Sequence, residues 1–175
     1  MSILVTLCIP TFNRRDKIPN CLNSIYLASK KSNLDFDVCI SDNGSDYDVG
    51  DVIKEFTNKL KIKINRNKLN IGYMPNLLKS ISLSESEFVW AIGDDDILMP
   101  DSLIRLEQLF RINSDVDFFF LNSFSLDYEY IKSFEAPFDT KNLPKKMEIK
   151  LGKKKISQKL NFWDLIDYNI SFDFL

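Results

Sequence analysis

Residues 88–101 read Phe88-Val89-Trp90-Ala91-Ile92-Gly93-Asp94-Asp95-Asp96-Ile97-Leu98-Met99-Pro100-Asp101. The stretch from Phe88 to Ile92 is apolar throughout and of strand length, which predicts a buried, central strand. Gly93 ends it, and three carboxylates follow at once. Asp101 is placed to cap a helix running through Ile112, whose Leu103, Leu106, Leu109 and Phe110 share one face.

The same alternation repeats on both sides. Residues 3–9 are a short apolar run stopped by Pro10, followed by a polar turn at 13–15. A helix comes next, with Asp16 as N-cap, Pro19 in its first turn and Ile18, Leu22, Ile25 and Tyr26 facing inward. Phe36 to Ser41 predicts a second strand, ended by the turn signal Asp42-Asn43-Gly44-Ser45. A helix over 49–60, a more exposed strand over 61–65, a turn at Asn70-Ile71-Gly72 and a short helix over 75–83 follow. Downstream, Asp117 to Phe124 predicts a fifth strand carrying Phe118, Phe119 and Phe120. Strands alternating with helices imply right-handed βαβ units and an α/β fold with a mostly parallel sheet flanked by helices.

Bulk composition fits one domain. The chain has 175 residues, 45% of them apolar and 27% charged, with a net charge of −2, which points to a packed globular chain and away from nucleic acid. It has no histidine. That excludes histidine bases, Ser-His-Asp triads and the common zinc sites, and leaves acid–base and metal chemistry to carboxylates. The scattered Cys8, Cys21 and Cys39 read as buried thiols in a reducing compartment. No basic leader and no run of ~20 apolar residues is present, so the expectation is a cytoplasmic chain that neither spans a membrane nor is exported.

In an open α/β sheet, ligands bind beyond the carboxyl ends of the strands. Here those ends carry Pro10-Thr11-Phe12-Asn13-Arg14, Asp42-Asn43-Gly44-Ser45 and Gly93-Asp94-Asp95-Asp96, and the fold predicts that all three meet at one edge. Three adjacent carboxylates repel unless a cation intervenes. Mg²⁺ or Mn²⁺ suits carboxylate and phosphate oxygens. By itself an acidic triplet reads as a solvated turn, but its place directly after a buried strand favours a metal site. Asp42 reads equally as a turn former and as an acceptor for a nucleobase N–H or a ribose hydroxyl. Arg14 and Arg15 fit either a diphosphate contact or a solvated helix entry, and Asn70, Gly72 and Asn76 fit turn chemistry or a loop near a nucleotide.

These segments, taken in order, resemble family 2 glycosyltransferases over residues 3–124. Val5 to Arg14 resembles that family's opening strand and turn, and Val38 to Ser45 its second strand, with a base-contacting aspartate. Asn70-Ile71-Gly72 with Asn76 resembles its Asn-x-Gly loop, and Gly93 to Asp101 its Asp-x-Asp metal motif. The resemblance implies a GT-A fold, a nucleoside-diphosphate-sugar donor, a Mg²⁺ or Mn²⁺ cofactor and transfer with inversion to a glycan or lipid-linked acceptor. It makes Asp95 the metal ligand. Asp94 and Asp96 would flank it toward the ribose or sugar, Asp42 would read the base, and Pro10, Thr11 and Asn13 would line the nucleotide cleft. Gly93 stands where the family's first aspartate is usual, which passes ribose contact to Asp94.

On this reading residues 1–126 form the nucleotide-sugar-binding core. Residues 127–175 form a partial acceptor-side extension; no segment in it matches the family's general base, so the catalytic residue is left unassigned, with Asp164, Asp167 and Asp173 as bare stand-ins. The lysine-rich stretch 141–159 reads either as a solvated face or, with neighbouring aromatics, as a peripheral contact to an anionic membrane surface. Two alternatives accompany the transferase reading. One is a catalytically inactive, truncated donor-binding fragment. The other is a phosphohydrolase of the haloacid dehalogenase type, whose Asp-x-Asp also follows an apolar strand.

Overall fold

The computed structural model describes residues 4–121 and 123–147. Its main unit comprises the described residues up to Phe119 together with Leu126–Lys146. Four strands form the sheet: β1 (Leu4–Thr11), β2 (Asp35–Asp42), β3 (Ile62–Arg66) and β4 (Phe88–Ala91), in the order β3-β2-β1-β4. Every pairing is parallel, with Thr11 opposite Asp42 and Cys8 opposite both Cys39 and Ala91.

Residues in register share a face, and the two faces differ in chemistry. Val5, Leu7, Ile9, Val38 and Ile40 line one face and are buried. Helices α1 (Ile18–Ser29), α2 (Val49–Ile53) and α4 (Ser102–Ile112) pack together on that side, where Phe88 stacks on Phe110 of α4 with centroids 4.5 Å apart. The other face carries Thr6, Asp37 and Ser41 beneath α3 (Tyr73–Ser82). Its polar groups are satisfied locally. Thr6 Oγ1 donates to Asp37 Oδ1 at 2.6 Å, and Asn76 Nδ2 donates to the Ser41 carbonyl at 2.9 Å while its Oδ1 accepts from Ser41 Oγ at 2.8 Å. After β4 and α4, the short helix α5 (Tyr128–Lys132) and the 140–142 turn fold onto α1: Asn23 Nδ2 donates to the Phe138 carbonyl, and Phe138 N donates to Asn20 Oδ1.

Several local expectations are corrected. β1 runs through Pro10 to Thr11. The Cys8 carbonyl accepts from Ile92 N on the β4 side and the Thr11 carbonyl from Asn43 N on the β2 side. Pro10, two residues after Cys8, therefore directs its missing N–H to the β4 side, where β4 has already ended. Asp16 does not cap α1. Lys17 occupies the N-cap position without a side-chain bond, and Asp16 Oδ2 accepts instead from the Tyr128 hydroxyl at 2.5 Å. Asp101 holds the N-cap position of α4, but its carboxylate is drawn to Arg105 Nε at 2.7 Å. The helix expected over 49–60 is a single α turn followed by a 3₁₀ turn at Lys54–Phe56.

β4 is an edge strand among the described residues, with burial alternating along it and Val89 43% exposed. The unbroken apolar run predicted two covered faces, but among the described residues one face of β4 is exposed. The expected strand over 117–124 does not form among the described residues: Phe118 is 65% exposed, and Phe119 turns into the aromatic cluster with Phe88 and Phe110. Phe124, in the second unit, makes an isolated bridge.

Candidate functional site

The three loops at the carboxyl end of the sheet meet. Thr11 Oγ1, at the end of β1, donates to Asp94 Oδ2 at 2.7 Å, which closes the gap to the end of β4. The Thr11 carbonyl accepts from Asn43 N at 2.8 Å, which joins β1 to β2. Asn13 sits in the left-handed region, with φ 54°, a conformation asparagine tolerates better than most residues. From there it clasps the second loop twice: its N–H donates to Ser45 Oγ at 3.0 Å, and its Oδ1 accepts from Asp46 N at 3.0 Å. Pro10, Thr11, Asn13, Asp42 and Asp94 therefore share one rim.

The three aspartates do not converge, and no group of three acidic, cysteine or histidine side chains among the described residues is arranged as a metal cage. Each takes its own direction. Asp94 is 8% exposed and leans on Thr11. Burial pushes its pKa up to about 6; the Thr11 bond, Arg14 and Lys17 oppose that rise, and the charge on Asp95 adds to it. Asp95 is half exposed, and its Oδ2 lies 3.4 Å from the Lys17 ammonium. Asp96 Oδ2 accepts from Gly93 N at 2.8 Å and closes the turn. A Cβ on Gly93 would lie 3.0 Å from Asp96 Oδ2 and 3.1 Å from Asp95 Oδ1. The absence of a side chain at Gly93 thus leaves the space into which the Asp95 and Asp96 carboxylates fold.

This donor set fits a divalent cation of the Mg²⁺ type. Such an ion needs only one or two protein carboxylates when phosphate and water complete its shell. Asp95, half exposed and with Lys17 beside its Oδ2, is the carboxylate that could supply such a ligand.

Asp42 is held differently. Its Oδ1 accepts from Ser45 N at 2.9 Å. Its Oδ2 is buried with no hydrogen-bond partner, and Arg66 Nε stands 3.5 Å away, an ion-pair distance without a bond. A buried carboxylate oxygen with no donor is costly, and an incoming N–H relieves it. Arg66 also donates to the Ser45 and Tyr47 carbonyls, at 2.6 and 3.1 Å, and so fastens the loop around Asp42.

Asn70, Gly72 and Asn76 serve the scaffold. Asn76 spends its amide on Ser41, while Asn70 Oδ1 accepts from Asn43 Nδ2 at 2.8 Å and from Gly72 N at 2.8 Å. Arg14 approaches Asp94 only through its charge, and Arg15 stacks on Tyr47 with 4.7 Å to the ring centroid. Lys17, Asn43, Arg66 and Tyr128 are the rim residues that sequence reasoning missed. Asn43 stood inside the Asp42–Ser45 turn signal, but the other three have no spacing that marks them. Asp164, Asp167 and Asp173 lie outside the described residues.

The model of the family described as glycosyl transferase family 2 matches residues 6–168. The chain belongs to this family. The abequosyltransferase RfbV of Salmonella typhimurium is 37% identical over 116 residues, covering 65% of this chain and 34% of that protein. S. aureus TarS 1–349 in complex with UDP superposes with a TM-score of 0.57 at 21% identity, over 64% of this chain and 33% of that TarS segment. The mannosyltransferase PcManGT of Pyrobaculum calidifontis, in complex with GDP-Man and Mn²⁺, gives a TM-score of 0.51 at 19% identity, over 63% of this chain and 32% of that one. These structural likenesses are of fold, and the architecture is the expected GT-A fold. The chain spans about a third of the length of these relatives. Membership in the glycosyltransferase family removes the phosphohydrolase alternative. Among the described residues no helix is long and apolar enough to cross a membrane.

Proposed function

We propose that this family 2 glycosyltransferase chain binds a nucleoside-diphosphate sugar across its sheet rim and supplies the donor half of a sugar transfer that inverts the anomeric carbon. The observation that carries the reading is the junction of three distant segments through Thr11, which bonds Asp94 at 2.7 Å and Asn43 at 2.8 Å. Asp42 Oδ2, buried and without a hydrogen-bond partner, is the acceptor for a base N–H. Pro10, Thr11 and Asn13 wall the cleft, Asp94 and Asp96 lie toward the ribose or sugar, and Asp95 holds the cation. A bound Mg²⁺ or Mn²⁺ ion supplies charge neutralisation for the departing diphosphate.

In the transfer, an acceptor hydroxyl oxygen forms a bond to the anomeric carbon as the bond to the diphosphate breaks, and the hydroxyl proton passes to a carboxylate base. Asp164, Asp167 and Asp173 are the candidates for that base. The acceptor class is a glycan or a lipid-linked glycan of the kind used in surface polysaccharide assembly, with the donor bound on the cytoplasmic side. Support for this comes from the relative named as an abequosyltransferase and from another, at 25% identity over 99 residues, named as a chondroitin synthase. Lys141, Lys145 and Lys146 begin a basic stretch suited to an anionic membrane surface, and its remainder lies outside the described residues.

Calorimetry with UDP-, CDP-, GDP- and dTDP-sugars, with and without Mn²⁺, tests the reading. One donor binding in a Mn²⁺-dependent manner is the expected result, and no binding of any donor overturns it. Metal-dependent binding without turnover on any acceptor identifies a donor-binding role alone.

A further inference from the structure

We infer that Lys17 is the resident counter-cation of the aspartate rim and competes with the divalent ion for Asp95. The inference rests on the proposed donor site. The Lys17 ammonium lies 3.4 Å from Asp95 Oδ2. It is not a loose surface lysine: its side chain is 17% exposed against 49% for Asp95. The ring of Tyr128 sits beneath it, with 4.6 Å from Nζ to the centroid. Tyr128 is in turn anchored by its hydroxyl, which donates to Asp16 Oδ2 at 2.5 Å. Lys17 N also donates to the Arg14 carbonyl at 3.0 Å, which fixes the root of the side chain at the entry to α1. Ring, carboxylate and backbone together keep the ammonium on Asp95.

A divalent cation held by Asp95 would share that carboxylate with the Lys17 ammonium, 3.4 Å from Oδ2, and two cations on one half-exposed carboxylate repel. The neighbouring carboxylates offer little relief, because Asp94 is turned to Thr11 and Asp96 Oδ2 to Gly93 N. A donor diphosphate changes the balance by bringing oxygens that both cations share. Lys17 is thus a positioning residue that couples metal binding to nucleotide binding: the free rim takes up metal poorly, and the nucleotide-bound rim takes it up well.

The test titrates Mn²⁺ alone into the full chain and reads free Mn²⁺ by electron paramagnetic resonance, for wild type, Lys17→Met and Lys17→Arg. Lys17→Met, which keeps the apolar stem, is expected to bind nucleotide-free Mn²⁺ about fivefold more tightly or better. Lys17→Arg, which keeps the charge, is expected to match wild type, and saturating UDP is expected to shrink the gap between Met and wild type. Equal or weaker Mn²⁺ affinity in Lys17→Met overturns the inference while leaving the donor site intact. A wild-type chain that takes up no Mn²⁺ with any of UDP, CDP, GDP or dTDP at saturation overturns the donor-site reading and the inference with it. A merely structural role for Lys17 would not tighten metal binding.

Discussion

Thr11 and Asp94, 83 residues apart, share a 2.7 Å hydrogen bond in which the threonine hydroxyl donates to a carboxylate that is almost wholly buried. Thr11→Val keeps the shape and removes the donor. It is expected to cost about 1–3 kcal/mol, the penalty for leaving a buried polar group without its partner. Thr11→Ser, which keeps the hydroxyl, is expected to stay near wild type. Urea denaturation of the three proteins checks this, and equal midpoints for Val and wild type would show that the bond is energetically idle.

Asp95 separates binding from folding. Its side chain is 49% exposed, and among the described residues it pairs with Lys17. Surface pairs of this kind contribute roughly 0–1 kcal/mol, so Asp95→Asn is expected to shift stability little. The same change is expected to abolish Mn²⁺-dependent nucleotide-sugar binding. Calorimetry beside thermal unfolding reads both quantities, and unchanged affinity would count against Asp95 as the metal ligand.

Asn43 ties the 67–72 loop to the end of β2. Its Oδ1 accepts from Ile71 N at 2.9 Å, and its Nδ2 donates to Asn70 Oδ1 at 2.8 Å and to the Gly72 carbonyl at 3.2 Å. Asn43→Ala is expected to destabilise by about 2 kcal/mol and to speed amide exchange at Ile71. Gly44→Ala acts on the same junction. Gly44 has φ +79°, and a Cβ there would lie 3.0 Å from the Leu69 carbonyl carbon, so the substitution is expected to cost more than about 1 kcal/mol. Wild-type exchange at Ile71 in both variants would refute the clasp.

The thiols carry a pH signature. Burial pushes Cys8 up to about 12, with the neighbouring Cys39 and Asp37 adding to the rise; Cys21 and Cys39 are raised by burial as well. Above the ordinary thiol value of 9.0, the unfolded chain releases protons that the folded chain retains. Stability is therefore expected to fall as pH rises from 9 toward 12, by about 1.4 kcal/mol per unit for each thiol fully held. Cys8→Ala is expected to flatten that slope. At neutral pH the native protein is expected to resist alkylation and the denatured protein to react at three cysteines. Rapid native labelling would refute the burial.

Much of the rim was readable because turn residues follow apolar runs. Asp42-Asn43-Gly44 and Gly93-Asp94-Asp95-Asp96 announce strand ends, and a parallel sheet places successive strand ends on one side. Lys17, Arg66 and Tyr128 were not readable. Each reaches the rim through a long side chain whose partner lies far off in sequence: Lys17 on Asp95, Arg66 around Asp42, Tyr128 beneath Lys17. Asp16 misled for the same reason. A cap position is a local signal, and the hydroxyl of Tyr128 outcompeted the helix for its carboxylate.

From sequence alone came the alternation of strands and helices, the parallel sheet, the family and the carboxylates at the strand ends, because periodicity and turn chemistry act over a few residues. Tertiary structure alone decided which way each carboxylate turns: Asp94 inward to Thr11, Asp95 to a lysine, Asp96 back onto its own turn. It also set β4 at the edge among the described residues and carried β1 through a proline. Hydrogen bonds and ion pairs between segments tens of residues apart depend on where the chain has already packed, and no local pattern encodes that geometry.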